Sequence, residues 1–341
     1  MQAVIFFACA LFFISTKTIL ESKELSPTVL VEIDYRLAGK QSGFLQPISL
    51  DIDNNGDFYV GCRNRILVYN KRGELLKNID LSKVASYEII DICLLGSDRL
   101  LVLKTTRSIF EISKYKDDIR SDNIIQCYYV KNNIGFNRIY ADFNEIIYIG
   151  TTINRFYDIT KNIVREKLGK YFPVKYIEFD TENYVNFFPQ SFGGEKTLLK
   201  ETNNRDTIEI INKNTINISR TKLLKAISDK KTNLDNLSIR NIYSTSNGNR
   251  IFIDAFASEN SRYKARRPKI RKQKDLKRVL FAVSRSGEIL GKIENMPTDD
   301  YRDVIPPGKK IIADRNGNLF YLYTKLDNKN IKNSMSYILK Y

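Results

Sequence analysis

The stretch Ile48–Ile79, ISLDIDNNGDFYVGCRNRILVYNKRGELLKNI, decides the architecture. An aliphatic run ends in Asp53-Asn54-Asn55-Gly56, whose Asn and Gly residues supply the positive φ of a tight hairpin turn. Asp57–Val60 then reads as a second strand and Arg65–Tyr69 as a third. A further Gly turn, Asn70-Lys71-Arg72-Gly73, leads into Glu74–Ile79 as a fourth. Four short antiparallel strands punctuated by Gly turns form one blade of a β-propeller.

The same pattern recurs along the chain. Ile311–Tyr323 (IIADRNGNLFYLY) repeats the first hairpin around Asp314-Arg315-Asn316-Gly317, and Ile242–Ala255 (IYSTSNGNRIFIDA) repeats it around Asn247-Gly248. Val279–Ile293 (VLFAVSRSGEILGKI) supplies an outer hairpin through Ser286-Gly287. Weaker copies lie at Ile90–Lys104, Ile139–Gly150 and Tyr176–Phe187. Turns at 53, 96, 142 and 180 are spaced at about 40–50 residues, one blade length, and the steps to 246 and 314 are longer by roughly twenty residues each. Two insertions, near 215–237 and 258–277, account for the excess. The first holds a helix-like stretch, Thr221–Ser228 (TKLLKAIS).

The expectation is an all-β chain, a propeller of six four-stranded blades over residues 28–341. Its last blade offers three strands, ending in Met335–Lys340 (MSYILK). Thr28–Arg36 (TVLVEIDYR) is expected to supply the fourth, which closes the ring and removes a bare sheet edge. Two stacked β-sandwiches are the rival architecture.

Composition limits the chemistry. The 341 residues include 20 Tyr and 19 Phe but no Trp and no His. Without His, a Ser-His-Asp or Cys-His arrangement is impossible, as is an imidazole ligand for zinc, copper or haem. Acid–base work would fall to tuned Asp, Glu, Lys or Tyr. Cys9, Cys62, Cys93 and Cys127 show no CxxC and no metal spacing, and the last three read as buried free thiols. Ala3–Ile14 (AVIFFACALFFI) is too short to span a bilayer and suits a signal-peptide core, so residues 1–20 are read as a signal peptide or membrane anchor. No Lys or Arg precedes that run and no A-x-A site follows it. Export to the periplasm or cell surface, with a lipid anchor as one form of it, is the expectation.

Arg262–Arg278 (RYKARRPKIRKQKDLKR) carries ten basic residues and a single Asp, more than half of the chain's formal net charge of +16. Arg262, Lys264, Arg266, Arg267, Lys269, Arg271, Lys272, Lys274, Lys277 and Arg278 are the candidate binding residues, an electrostatic arm for an anionic partner. A solvated connecting loop is the plainer account of the same residues. A protein, a glycan or an anionic membrane surface fits such an arm. Nucleic acid is disfavoured by export and by the lack of any recognised module.

The acidic set Asp51, Asp53, Asp57 and Asp314 mimics a calcium loop only superficially. Counting Asp51 as position one puts Gly56 at six but Cys62, with no carboxylate, at twelve. These residues are therefore read as turn chemistry, with no cofactor or metal expected. Asn217-Ile218-Ser219 and Asn236-Leu237-Ser238 match the glycosylation sequon by chance, and Phe187-Phe188 with Pro189–Gly194 reads as a packed loop.

In its hydrophobic–Asp–x–x–Gly–Asn/Asp–hydrophobic–aromatic hairpins, seen at Asp53/Gly56 and Asp314/Gly317, the chain resembles NHL-type and related six-bladed propellers over most of residues 44–341. With its leader and its Lys/Asn/Ile bias, it also resembles uncharacterised exported or lipoprotein propellers of spirochaete-type bacteria. That resemblance implies surface or periplasmic binding and no known reaction, and the chain is separately expected to be a monomer. Propeller hydrolases and lyases gather His, Asp, Glu or Asn around a central metal. An enzyme using carboxylates or a metal in a central channel is thus the lesser reading, and a non-catalytic binding or scaffold module the favoured one.

Overall fold

In the computed structural model the described residues are 24–34, 47–83, 88–96, 98–106, 108–117, 119, 123–130, 136–141, 145, 147–151, 156–158, 164–168, 173–177, 184–185, 187–188, 197–201, 207–211, 215–227, 236–244, 250–258, 276–294, 296–297, 309–314, 316–325, 327 and 334–341. The leader, residues 1–20, lies outside them, as does Cys9.

Strand β1 is Thr28–Asp34. Sheet one holds β2 (Ser49–Ile52), β3 (Phe58–Gly61), β4 (Arg65–Tyr69) and β5 (Leu75–Asp80) in that order. Sheet two holds β6 (Ile89–Leu95), β7 (Arg99–Lys104), β8 (Ser108–Ser113) and β9 (Ile124–Val130). Sheet three begins with β10 (Phe136–Ala141), β11 (Ile147–Thr151) and β12 (Phe156–Asp158). The chain then returns to sheet two with β13 (Val164–Leu168) and β14 (Pro173–Ile177), before β15 (Tyr184–Val185) completes sheet three. Sheet four holds β16 (Phe187–Phe188), β17 (Thr197–Glu201), β18 (Thr207–Ile211) and β19 (Thr215–Ser219). Helix α1 (Arg220–Ile227) follows. Sheet five holds β20 (Asn236–Ser244), β21 (Arg250–Ser258), β22 (Leu276–Ser284) and β23 (Ile289–Ile293). Sheet six holds β24 (Ile311–Ala313), β25 (Leu319–Lys325) and β26 (Met335–Lys340), and β1 pairs antiparallel with β26 on its outer side.

The turns follow directly from sequence. At Asp53–Asp57 the Gly56 amide donates to the Asp53 carbonyl, the Asp53 amide donates to the Asp57 carbonyl, and Gly56 sits at φ 85°. Asp53 Oδ1 accepts the amides of Asn55 and Asp57. Asn70–Glu74, Ser284–Glu288 and Asp314–Asn318 close with the same first-to-fifth backbone bond and the same side-chain acceptor on the first residue. A short polar side chain that mimics the turn, followed by a residue free to take positive φ, is what this three-residue hairpin requires.

Successive sheets are glued by aliphatic clusters. Ile66 and Val68 pack with Ile92, Leu94 and Val102 between sheets one and two. Cys93, Leu101 and Leu103 pack with Ile139 and Ile149 between sheets two and three. Ile208 and Ile218 meet Ile253, Val279 and Phe281 between sheets four and five, where α1 adds Leu223 and Ile227 from one helical face. Phe252 and Leu280 meet Leu319, Tyr321 and Leu339 between sheets five and six. Sheet six in turn shares a core with sheet one: Ile312, Phe320, Leu322 and Ile338 pack with Leu50, Phe58 and Val60, joined by Val31 and Ile33 of β1. Each such side chain removed from water contributes about 1.5–3 kcal/mol. The architecture is all-β and propeller-type, sheet following sheet. The inner strands β2, β3 and β6 are buried at every position, which is why they read as continuous aliphatic runs with little alternation.

Three expectations need correction. Tyr176–Phe187 is not a hairpin: β14 pairs antiparallel with β13 and parallel with β9, whereas Tyr184–Val185 pairs with β12. Its supposed turn has no Gly or Asn-Gly to set positive φ, so nothing local forced the two runs together. The insertion placed at 215–237 is shorter, because β19 occupies Thr215–Ser219 and pairs with β18. Ser219 caps α1 by accepting the Lys222 amide. The insertion placed at 258–277 is likewise trimmed at both ends, because Ser258 pairs with Leu276 and Ala257 with Lys277.

Candidate functional site

The first strands of the sheets touch one another: β2 meets β6 and β24, β6 meets β10, and β20 meets β24. Two of them carry an acidic residue inside an aliphatic run, Leu50-Asp51-Ile52 and Ile90-Asp91-Ile92. Both carboxylates are fully buried. A shared device fixes them. Asp51 Oδ1 accepts the next amide, Ile52, at 2.9 Å, and Asp91 Oδ1 accepts Ile92 at 2.9 Å. The other oxygen reaches the first strand of the following sheet, Asp51 Oδ2 taking the Leu94 amide at 2.9 Å and Asp91 Oδ2 the Ile139 amide at 2.8 Å. In sheet five Asn241 repeats the local half of this contact with Ile242. Asp91 and Asn241 each follow a β-bulge, which turns the side chain out of the regular pleat.

Lys309, two residues before β24, enters the same cluster from sheet six. Its Nζ donates to Asp51 Oδ2 at 3.2 Å and to the Ile92 carbonyl at 3.1 Å, and lies 4.8 Å from the Tyr140 ring centre. Its amide donates to Asp91 Oδ1 at 3.2 Å, and its carbonyl accepts the Leu50 amide at 2.7 Å. Burial pushes the Asp91 carboxyl up to about 6, opposed by the nearby ammonium and three backbone amides. Burial disfavours the Lys309 cation, but Asp51 and its neighbours more than reverse that, so its pKa is pushed up and it stays charged. Six donors thus occupy the four carboxylate oxygens, all but one of them backbone amides. This is a pin joining sheets one, two, three and six. No group of metal-ligating residues occurs among the described residues.

An open cavity lies at a different place, where the first turns of sheets one and six meet. Its volume is about 350 Å³. Leu30, Ile52, Phe58 and Phe320 form the floor, the two rings edge to face at 5.0 Å. The rim is polar. Asp53, Asn54 and Asn55 stand on one side, Asp314, Asn316 and Asn318 on the other, with Lys71 and Lys340 closing it. The acidic set read as turn residues therefore divides: Asp53 and Asp314 hold turns at this rim, while Asp51 belongs to the buried pin.

No family model matches this chain, and no curated protein does. Solved structures of similar shape exist. A member of the duf4221 family from Bacteroides vulgatus is 12% identical, with 93% of this chain and 98% of that one covered and a TM-score of 0.46. Kuenenia stuttgartiensis hydrazine synthase is 8% identical, with 84% and 80% covered and a TM-score of 0.40. Selenomethionine-substituted virginiamycin B lyase from Staphylococcus aureus is 14% identical, with 93% and 88% covered and a TM-score of 0.39. The first and third are propeller-type folds. At such identities the likeness is one of shape and says nothing about chemistry.

Of the ten basic candidates, Arg262, Lys264, Arg266, Arg267, Lys269, Arg271, Lys272 and Lys274 lie outside the described residues. Lys277 and Arg278 are in β22. Arg278 is already engaged inside the sheet: Nε and Nη2 donate to Asp254 Oδ1 and Oδ2 at 2.9 and 2.8 Å, and the Asp254 side chain is 1% exposed. The sequence reading missed Lys309, Asp91, Lys71 and Lys340. An acidic residue enclosed by aliphatics on a first strand was the available signal for Asp91. Nothing local marks the lysines.

The free thiols are where they were expected. Cys62, Cys93 and Cys127 are buried and unbridged.

Proposed function

We infer that this chain is an exported, non-catalytic binding or scaffold protein, a six-bladed propeller whose ring β1 closes through β26. Its basic segment attaches one face of the disc to an anionic surface. The Gly-turn hairpins that resemble NHL-type repeats support the ring, as do the core shared by sheets six and one and the outer seat of β1.

The observation that carries the attachment is the register of β21 and β22. Their pairing runs unbroken from Arg250–Ser284 to Ser258–Leu276, so residues 259–275 join two strands that are paired at their Ser258 and Leu276 ends. The opposite end of the β21–β22 pairing is Arg250–Ser284, and Arg250 there lies beside Gly317 of the sheet-six turn. The turns of sheets one and six share that end through the cavity, and Lys114, just after β8, reaches it through its ion pair with Asp53. The Ser258 and Leu276 ends, to which residues 259–275 are joined, are thus a strand's length from the Arg250 end beside that cavity. One face is suited to hold an anionic surface while the other stays free.

The rival, a hydrolase or lyase using buried carboxylates, draws no support from Asp51 and Asp91, whose oxygens are occupied as described. The test replaces residues 259–275 by a short Gly-Asn turn, keeping Lys277 and the Arg278–Asp254 pair. Sedimentation with phosphatidylcholine vesicles containing about 30% phosphatidylserine, at about 50 and 500 mM salt, should show salt-sensitive binding that the replacement abolishes. Binding that survives the replacement undiminished, or that ignores salt, refutes the attachment.

A further inference from the structure

We propose that the cavity between the first turns of sheets one and six is a binding site for an acidic sugar, a polyhydroxylated ring bearing a carboxylate. It is a second site on the propeller, at the turns of sheets one and six, and it rests on the binding-module reading only in treating that end of the sheets as free.

Four features of the cavity select that ligand. The first is size. At about 350 Å³ it is at the small end of ligand pockets, sufficient for one or two sugar rings and too small for a folded partner's loop. The second is the alternation of donors and acceptors at the rim. Asp53 and Asp314 accept only, while Asn54, Asn55, Asn316 and Asn318 both donate and accept. A vicinal diol needs that combination, because each hydroxyl gives one hydrogen bond and takes another. The carboxylates are also held in place beforehand. Asp314 Oδ1 takes the amides of Asn316 and Asn318, and its Oδ2 takes Asn318 Nδ2 at 2.6 Å. Asp53 is fixed by two turn amides and by Lys114 at 3.3 Å. Acceptors already locked into their turns lose little freedom on binding.

The third feature is charge. Lys71 and Lys340 stand at the rim without a hydrogen bond or ion pair among the described residues. Asp53 is compensated by Lys114, and Lys71, which also feels Asp57, and Lys340 are the ammonium groups at the rim that a ligand carboxylate can meet and a neutral sugar does not use. The fourth is the floor. Phe58, Phe320 and Ile52 are buried beneath the cavity and Leu30 is half-buried at its base, so a sugar's C–H groups would rest on an apolar bottom edged by Leu30. Phosphorylated inositol shares the polyol and the negative charge, but its charge sits on a freely hydrated tetrahedral group that asks for Arg forks or a cluster of amides, and the rim has neither.

The experiment titrates the whole folded chain with galacturonate and glucuronate oligosaccharides by calorimetry and saturation-transfer NMR. Neutral gluco-oligosaccharides and inositol hexakisphosphate are the comparison arms. A uronate oligosaccharide should bind with Kd below about 1 mM, and its neutral counterpart about tenfold more weakly or worse. Lys71→Met with Lys340→Met should remove the preference for the acidic sugar, and Asp314→Asn should weaken acidic and neutral sugars alike. Lys71 is exposed and Lys340 and Asp314 are half-buried, and a single cooperative unfolding transition in each variant will show that it folds. The variant lacking residues 259–275 should bind the uronate as the parent does. If only that variant fails, the sugar binds the basic segment and the cavity proposal is overturned, whereas loss of vesicle binding alone leaves it standing. Absence of uronate binding, binding indifferent to the rim variants, or tighter binding of the inositol phosphate each overturns it.

Discussion

Replacing Lys309 by Met tests whether the buried pin holds the sheets together. The lysine is 3% exposed and Asp51 is fully buried, so solvent cannot compensate either charge. Met keeps most of the side-chain volume and the contact with the Tyr140 ring. What disappears is the 3.2 Å ion pair to Asp51 and the 3.1 Å hydrogen bond to the Ile92 carbonyl. Asp51 is left with two backbone amides and no counter-charge. Removing one partner of a buried pair in this way costs about 3–5 kcal/mol. At about 2.1 cal/mol/K of unfolding entropy per residue, each kcal/mol moves the thermal midpoint of a chain this long by about 1.5 °C, so a fall of roughly 4–7 °C is expected.

Two companion measurements separate the pair from a packing effect. Lys309→Met with Asp51→Asn removes the orphaned charge and should recover a large part of the loss, because a buried pair taken out whole is often nearly neutral. The penalty of Lys309→Met should also shrink on acidification. The lysine lowers the Asp91 pKa, so its removal raises that pKa above about 6. An acid whose folded-state pKa is raised contributes stability below its unfolded value and loses it as pH rises through the folded value. The variant is therefore most penalised at neutral pH and least near pH 5. Thermal unfolding followed by circular dichroism reads all three. A single-variant loss under about 1 kcal/mol, or a double variant no better than the single, refutes the account of the pin.

The other expectations are more local. With Asp91 raised from the ordinary range to about 6, parent stability carries a contribution that declines between about pH 4 and 6, and urea midpoints of Asp91→Asn should lack that decline. Gly73→Ala should cost well over about 1 kcal/mol, because φ there is 85° and a Cβ would lie 2.4 Å from the Leu30 carbonyl of β1. Gly56→Asn, at the same φ but with only Lys71 Cβ at 3.8 Å, should cost less than Gly73→Ala in the same urea titration. Burial pushes the Cys127 thiol up to about 12 and those of Cys62 and Cys93 higher, so in a Cys9→Ser chain a thiol reagent should label these three only after unfolding, and labelling of that chain in its native state at neutral pH contradicts the burial.

The legible parts of this fold are those whose information is local. Asp53-x-x-Gly56, Asn70-x-x-Gly73, Ser284-x-x-Gly287 and Asp314-x-x-Gly317 each encode a turn in five residues, because the first side chain and the positive-φ glycine complete it unaided. Strands β2 to β5 and β24 to β25 follow from those turns with little error. The Tyr176–Phe187 stretch shows the limit. Its two apolar runs alternate well enough to pair, but with no turn residue to dictate the partner, tertiary packing sent one to β9 and the other to β12. The pin was invisible for a related reason. Lys309 contacts Asp51 and Ile92 across 258 and 217 residues, and a lysine before an aliphatic run has no periodic signature.

The same logic explains why the charge reading was incomplete. Counting basic residues in Arg262–Arg278 treats them as equivalent, yet Arg278 is bidentate to a buried carboxylate within its own sheet. Its +1 is cancelled by Asp254, and removing it would unfold the hairpin end that anchors residues 259–275 before it tested any binding. Lys71 and Lys340 are the reverse case. They are isolated in sequence and converge only because the first sheet packs against the last. A charge run locates where cations are plentiful. Whether a cation is free for a ligand is decided by the strand that carries it and the side chain across from it. On that criterion Lys71 and Lys340, at the cavity between the first and last sheets and without a hydrogen bond or ion pair among the described residues, are better placed to meet a small anion than Arg278.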